Sequence, residues 1–258
     1  MNYEQILVST ESPIAYLTLN QPKKINALSS RMISEMIDAL TTIAQDETVK
    51  VVILRGEGKH FCAGHDMSEM VGGGAKEAKL IFERCGKLMR LIHTIAQPVI
   101  AQVQGVATAA GCQLVAWCDL VVAEEGARFS TPGVKIGLFC TTPAVSISRA
   151  IGRKAALEML LTGRYFPADE AKALGLVNRV VPMEKLADET KHLALQISEA
   201  SRYVLAVGKQ GFYAQVDETD EKAFQVATQT IALNMVAEDA QIGMRAFIEK
   251  RTPEWKNR

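Results

Sequence analysis

The sequence predicts an α/β protein with a helical C-terminal part, and three observations predict it. Short β-branched runs, Ile14–Leu19, Val51–Arg55 and Pro98–Gln104, alternate with stretches of helical periodicity. Two of these runs lead through small residues into helix starts, at Gly64-His65-Asp66 and at Ala109-Ala110-Gly111. From Pro143 to the end helical patterns dominate.

Ile14–Leu19 alternates as a half-buried strand does and stops at the turn Asn20-Gln21-Pro22, with Lys23 and Lys24 in the following loop. The spacing of Met32, Ile33, Met36, Ile37 and Leu40 predicts an amphipathic helix capped by Ser29 or Ser30. Val51–Arg55 reads as a buried strand, after which Gly64 gives the backbone freedom to turn into a new helix start. Residues 71–78, VGGGAKEA, read as a mobile loop. They lack the Gly-Lys-Ser/Thr that a phosphate-cradling loop needs. A helix is expected over Lys79–Ile95, and a core strand over Pro98–Gln104 ends at Gly105. Leu120–Ala123 and Ala127–Ser130 read as short strands, and Thr131-Pro132-Gly133 as a turn. Ala155–Thr162, the helix Ala168–Leu174 ending at Gly175, and the run Val177–Pro182 read as a compact tail to the core.

With 258 residues, 48% of them hydrophobic, the chain can bury a large core without staples. Lys+Arg and Asp+Glu are equal at 29 each, so no global field recruits nucleic acid or an anionic membrane. The cysteines Cys62, Cys85, Cys112, Cys118 and Cys140 are odd in number and lack paired metal spacing, which points to reduced, buried thiols. MNYEQILVST lacks the pattern of a secretion signal and no run approaches a membrane span, so a soluble, cytoplasmic protein is expected.

The stretch Gln104–Asp119, QGVATAAGCQLVAWCD, is the first place to look for chemistry. A helix that begins at its small residues leaves N–H groups without partners, and its dipole favours an anion or an oxygen that becomes one. The alternative is close helix–strand packing with no guest.

The ordered segments FCAGHDMSEM, PVIAQVQGVATAAGCQLVAWCDLVVA, ARFSTPGVKIGL, LTGRYFPADEAKALGLVNRVVP and AFIEKR resemble the crotonase superfamily, the enoyl-CoA hydratase/isomerase family, over nearly the whole chain. The branch of enoyl-CoA hydratase domain-containing proteins is the most similar. The resemblance implies a crotonase (ClpP-like) fold, a repeated ββα spiral over residues 1–193 with a helical oligomerisation region over 194–258. It also implies homotrimers or homohexamers, and an acyl-CoA substrate whose coenzyme A is part of the substrate, with no prosthetic group. The backbone N–H groups of His65 and Ala110 are then the expected oxyanion donors. Ala110 stands where many relatives carry glycine. Cys62 and Ala63 fall where family members meet the adenosine end of CoA, and Met67 and Ser68 continue the substrate-lining turn. Lys23 and Lys24 match the family's basic loop, although each could be an ordinary solvated charge. Phe247 and Lys250 match the contribution of a neighbouring subunit, and Asp66 is expected to cap a helix.

The chain departs from the family at the acid/base pair. The two positions where hydratases carry glutamate fall on Gln113 and Gly133, and a further acidic position of some relatives falls at or near Thr141. Candidates to replace them are the His65 side chain, Glu69, Cys112 and Cys140, with Gln113 able to orient a water but not to deprotonate it. Three activities stay open: a hydratase with relocated groups; a decarboxylase, hydrolase or other acyl-CoA lyase that needs little acid/base help; or acyl-CoA binding without turnover.

Overall fold

A computed structural model describes residues 3–258. Its main sheet is built from β1 (Ile6–Glu11), β2 (Ile14–Leu19), β3 (Val51–Gly56), β4 (Val99–Val103), β6 and β9, in that spatial order, where β5 is Val106–Thr108, β6 is Leu120–Glu124, β7 is Arg128–Ser130, β8 is Phe166–Pro167 and β9 is Arg179–Val181. The hairpin β1–β2 is antiparallel and every other neighbour in this sheet runs parallel. A smaller sheet pairs β5 with β7 and β7 with β8.

The helices are α1 (Ser30–Gln45), α2 (Ala75–Thr94), α3 (Ala110–Trp117), α4 (Thr141–Ile151), α5 (Arg153–Thr162), α6 (Ala168–Ala173), α7 (Leu186–Ser198), α8 (Arg202–Gln215), α9 (Asp220–Val236) and α10 (Glu238–Glu249). Because side chains alternate along a strand, β3 feeds two cores. Val52 and Leu54 join α1, α2 and α3 in the larger one, while Val51 and Ile53 pack with Ile14, Ile100, Val122 and α7. The Ser29 cap is as expected, its Oγ accepting from the Met32 N–H at 3.0 Å.

Several boundaries differ from the sequence reading. β1 was not foreseen: Ile6 is its buried residue and the others are exposed, so no alternation marks it. The glycine-rich segment is shorter than expected, since α2 already begins at Ala75. The Glu77 carboxylate accepts the Gly74 N–H at 3.1 Å and so serves one of the free donors of that helix start. The division at 193/194 falls inside α7, whose Leu186 and Ala194 are core residues, so the sheet-packed part continues through Ser198. Beyond it, Lys50 Nζ reaches Ser198 O and Ala200 O, both at 2.9 Å, and ties the end of α7 to the sheet. All five cysteines are free; four are buried and Cys140 is half-buried. Among the described residues no helix is long and apolar enough to cross a membrane.

Candidate active site

The two crossovers meet. The segment after β3 zips onto β5: Phe61 N–H donates to Gln104 O at 2.9 Å, Cys62 N–H to Val106 O at 3.1 Å, and Thr108 N–H to Cys62 O at 2.9 Å. Thr108 Oγ1 then donates to Ala63 O at 3.0 Å. Glycine is required twice. A Cβ on Gly111 would lie 2.4 Å from Cys62 O, and Gly64, at φ +100°, sits so close to the second crossover that a Cβ there would lie 3.2 Å from Ala110 N.

On the far side Leu28 N–H donates to Gly64 O at 2.7 Å and Asp66 N–H to Leu28 O at 3.1 Å. This parallel bridge turns the N–H of His65 away from Leu28. Ala110 is the first residue of α3, so its own N–H has no intrahelical partner. Among the described residues neither N–H finds an acceptor. The unusual backbone is at Ala109, at φ 49° and ψ −119°, a region costly to a residue with a side chain, whereas Ala110 is helical. Ala109 N–H is held by Ser130 O at 2.9 Å, and Ala109 O accepts Gln113 N–H at 3.0 Å.

A cavity of ≈ 450 Å³ opens over these groups. Ala63, His65, Ala109 and Ala110 line one end, and Met67, Met70, Phe82, Ile136, Leu138 and Phe139 give it apolar walls. Gly133, Lys135, Cys140, Thr141 and Thr142 complete it. Among the described residues no carboxylate lines it, and no group of three His, Cys, Asp or Glu residues could hold a metal ion.

The His65 imidazole meets the Phe82 ring edge-on, with centroids 5.3 Å apart, and burial depresses its pKa to about 4. Its Nε2 is buried without a partner. Asp66 caps as expected: Oδ1 accepts Ser68 N–H at 3.0 Å and Ser68 Oγ–H at 2.6 Å, and Oδ2 accepts Lys24 Nζ at 2.8 Å. The Lys24 hydrogen bond, aided by Ser68, holds its carboxyl at about 2. Met67 lines the cavity; Ser68 does not, because its polar atoms are turned onto Asp66.

Other expectations need correction. Cys62 is fully buried with both backbone groups bonded within the zipper, so it positions the crossover and does not line the cavity, whereas Ala63 does. Glu69 is engaged elsewhere, its Oε2 accepting the Ser30 N–H at the start of α1 at 2.8 Å. Cys112 is fully buried and outside the cavity lining. Gln113 is likewise buried outside it, with Oε1 unpartnered. Gly133 does line the cavity, but a Cβ there would lie 2.7 Å from Cys140 Sγ and 2.7 Å from Leu138 O. The sulfur fills the space into which a longer residue-133 side chain would grow. Lys23 is exposed beside Lys24. Phe247, 85% exposed at the end of α10, and Lys250, its cap at φ 52°, stand outside the lining of their own chain's cavity.

Residues 9–258 match the family model described as enoyl-CoA hydratase/isomerase. The chain belongs to this family. A Xenopus laevis relative, enoyl-CoA hydratase domain-containing protein 3, mitochondrial, is 43% identical over 250 residues, which is 96% of this chain and 85% of that protein. The Rattus norvegicus protein of the same name is 42% identical over 98% of this chain and 86% of its own length. The crystal structure of an enoyl-CoA hydratase from Mycobacterium smegmatis superposes with a TM-score of 0.95 at 47% identity, covering 98% of this chain and 99% of that one. Human enoyl coenzyme A hydratase domain-containing protein 3 also gives 0.95, at 40% identity and 98% and 100% coverage. The fold is therefore the crotonase fold that the enoyl-CoA hydratase/isomerase resemblance implied. The expected cytoplasmic location is overturned by the frog and rat relatives, which are named as mitochondrial proteins.

The wall residues Phe82, Lys135, Ile136, Leu138 and Phe139 were missed by the sequence reading. The available signal was the apolar run between Gly133 and Cys140, where Ile136 stays 62% exposed in the free chain.

Proposed function

We propose that this enoyl-CoA hydratase-like protein binds an acyl-CoA thioester with its carbonyl oxygen between the N–H of His65 and the N–H of Ala110. One observation carries the reading: two backbone donors from separate crossovers, both without acceptors, stand together at the end of an apolar cavity. Proton removal, carbon–carbon cleavage or addition beside a thioester places negative charge on that oxygen, and one aimed donor is worth about 2.7–4 kcal/mol of transition-state stabilisation. Coenzyme A enters as part of the substrate. In this reading Lys23 and Lys24 meet its phosphates, and Phe247 and Lys250 of a neighbouring subunit complete the site in a trimer or hexamer.

The usual hydratase acid/base pair has no counterpart in this reading. Gln113 is neutral, and the volume beside Gly133 is taken by Cys140. Nor do the other groups replace it well. A general base works best with a pKa near the operating pH, and His65 at about 4 is too weak. The Cys140 thiol is raised by burial and stays protonated, hence a poor nucleophile. The chemistry best supported is a thioester reaction that draws on the two donors and little else, such as decarboxylation or slow hydrolysis. Acyl-CoA binding without turnover is the second reading, favoured by the cavity without carboxylates.

The test is to follow crotonyl-CoA hydration through loss of the enoyl-thioester absorbance, beside calorimetric titration with the same thioester. Binding without rapid hydration is expected. Rapid hydration would show that acid/base groups have been relocated and would overturn this account of the chemistry.

A further inference from the structure

Phe82 and Thr142 line the thioester cavity and also a neighbouring groove, which continues along α2 past Lys79, Glu83, Gly86 and Arg90. The half-buried Phe82 ring is the bulkiest side chain shared by the two spaces, and its edge-on contact with the His65 imidazole holds it there. The cavity lining also includes Met67 and Met70, a surface suited to an acyl chain, whereas the groove lining is mostly polar. Gly86 contributes no side chain that would block the way beyond the ring.

We propose that Phe82 is the wall between the acyl cavity and the groove along α2 and sets the length of acyl chain the site accepts, which makes the preferred ligands short-chain acyl thioesters. This rests on the acyl-CoA reading above. A longer chain in the native protein must displace the ring, lose its contact with His65 and run its apolar end into a polar groove. Removing the ring joins the two spaces, so the added methylenes are accommodated along α2 at less cost.

The test is calorimetric titration of butyryl-CoA and decanoyl-CoA into the native protein, Phe82→Ala and Phe82→Leu, with circular dichroism as the control for folding. The native protein should favour butyryl-CoA. Phe82→Ala should move the affinity ratio toward decanoyl-CoA by about tenfold or more, the scale of discrimination in an apolar pocket. Phe82→Leu, which keeps most of the bulk and the fold, should move it in the same direction by less. Butyryl-CoA binding with an unchanged ratio in both variants would overturn the role of Phe82 alone. Failure of the native protein to bind either thioester would overturn the acyl-CoA reading and this proposal with it.

Discussion

Helix α3 has two ends that treat polar groups in opposite ways. At its start Ala110 leaves its N–H without an acceptor, next to the equally free N–H of His65 and a strained Ala109. Past its other end Asp119 is saturated: Oδ2 accepts Val99 N–H at 2.6 Å and pairs with Lys209 Nζ at 2.8 Å, while Oδ1 accepts Tyr213 Oη–H at 2.8 Å. Lys209 also donates to Ile92 O at 2.6 Å and Gln97 O at 2.8 Å. Beside it the His93 ring is stacked between Trp117, at 4.3 Å, and Tyr213, at 3.7 Å. An unsatisfied buried polar group is costly, so two free backbone donors side by side at a cavity mark a place where a guest would be favoured; at the far end Trp117 Nε1 alone of these side chains stays without a partner. The contrast separates the end where the proposed thioester would sit from the end that docks α8.

The largest effect is expected where the closed end is broken. Asp119→Ala strands the Lys209 ammonium in a site where burial already lowers its pKa, and should cost about 3–5 kcal/mol, read as a fall in Tm and in urea midpoint. The paired replacement Asp119→Leu, Lys209→Met should recover most of that loss. A single variant as stable as the native protein would remove the ionic contact from the account. Second comes Gly133→Glu. With Cys140 Sγ and Leu138 O each 2.7 Å from the new Cβ, it should destabilise by about 1–3 kcal/mol and not create hydratase activity. Crotonyl-CoA hydration appearing in a stable Gly133→Glu protein would contradict the packing argument.

At the open end a smaller change is expected. Proline is tolerated at the first position of a helix and has no N–H, so Ala110→Pro should keep the helical circular dichroism while butyryl-CoA affinity falls about fivefold, one hydrogen bond's worth. Equal affinity would remove Ala110 from the site. Acid provides the gentlest contrast. Burial holds both His65 and His93 at about 4, below the ordinary 6.5, so the unfolded chain takes up their protons first. Stability should therefore fall as pH drops from about 6.5 toward 4, and level off with respect to these groups below that. Replacing His93 with Gln should flatten this part of the profile; an unchanged slope would show that His93 does not carry it.

How much of this could be read from the sequence depended on the range of the interactions. The Ser29 cap and the buried β3 and β4 were legible because periodicity and a neighbour three residues away settle them. The meeting of the two crossovers was legible because small residues after a strand betray close backbone approach. β5 was hidden, since its Ala107 and Thr108 look like the start of the helix that follows. Glu69 was misjudged because its partner, Ser30, lies 39 residues away on another helix. The filled space beside Gly133 was invisible for the same reason: the glycine suggests an empty place, and only the fold brings Cys140 into it. The Lys209–Asp119 pair joins positions 90 residues apart and left no local pattern at all.

The central claim, that two backbone N–H groups grip a thioester oxygen, is tested most directly by an exchange of that oxygen. Butyryl-CoA and S-butyl-CoA, the thioether without the carbonyl, should be titrated into the native protein under one set of conditions. Two hydrogen bonds of about 1 kcal/mol each predict that the thioester binds at least tenfold more tightly. Equal affinity for the two ligands would contradict the claim, because it would mean that coenzyme A and the acyl chain are held while the oxygen is not.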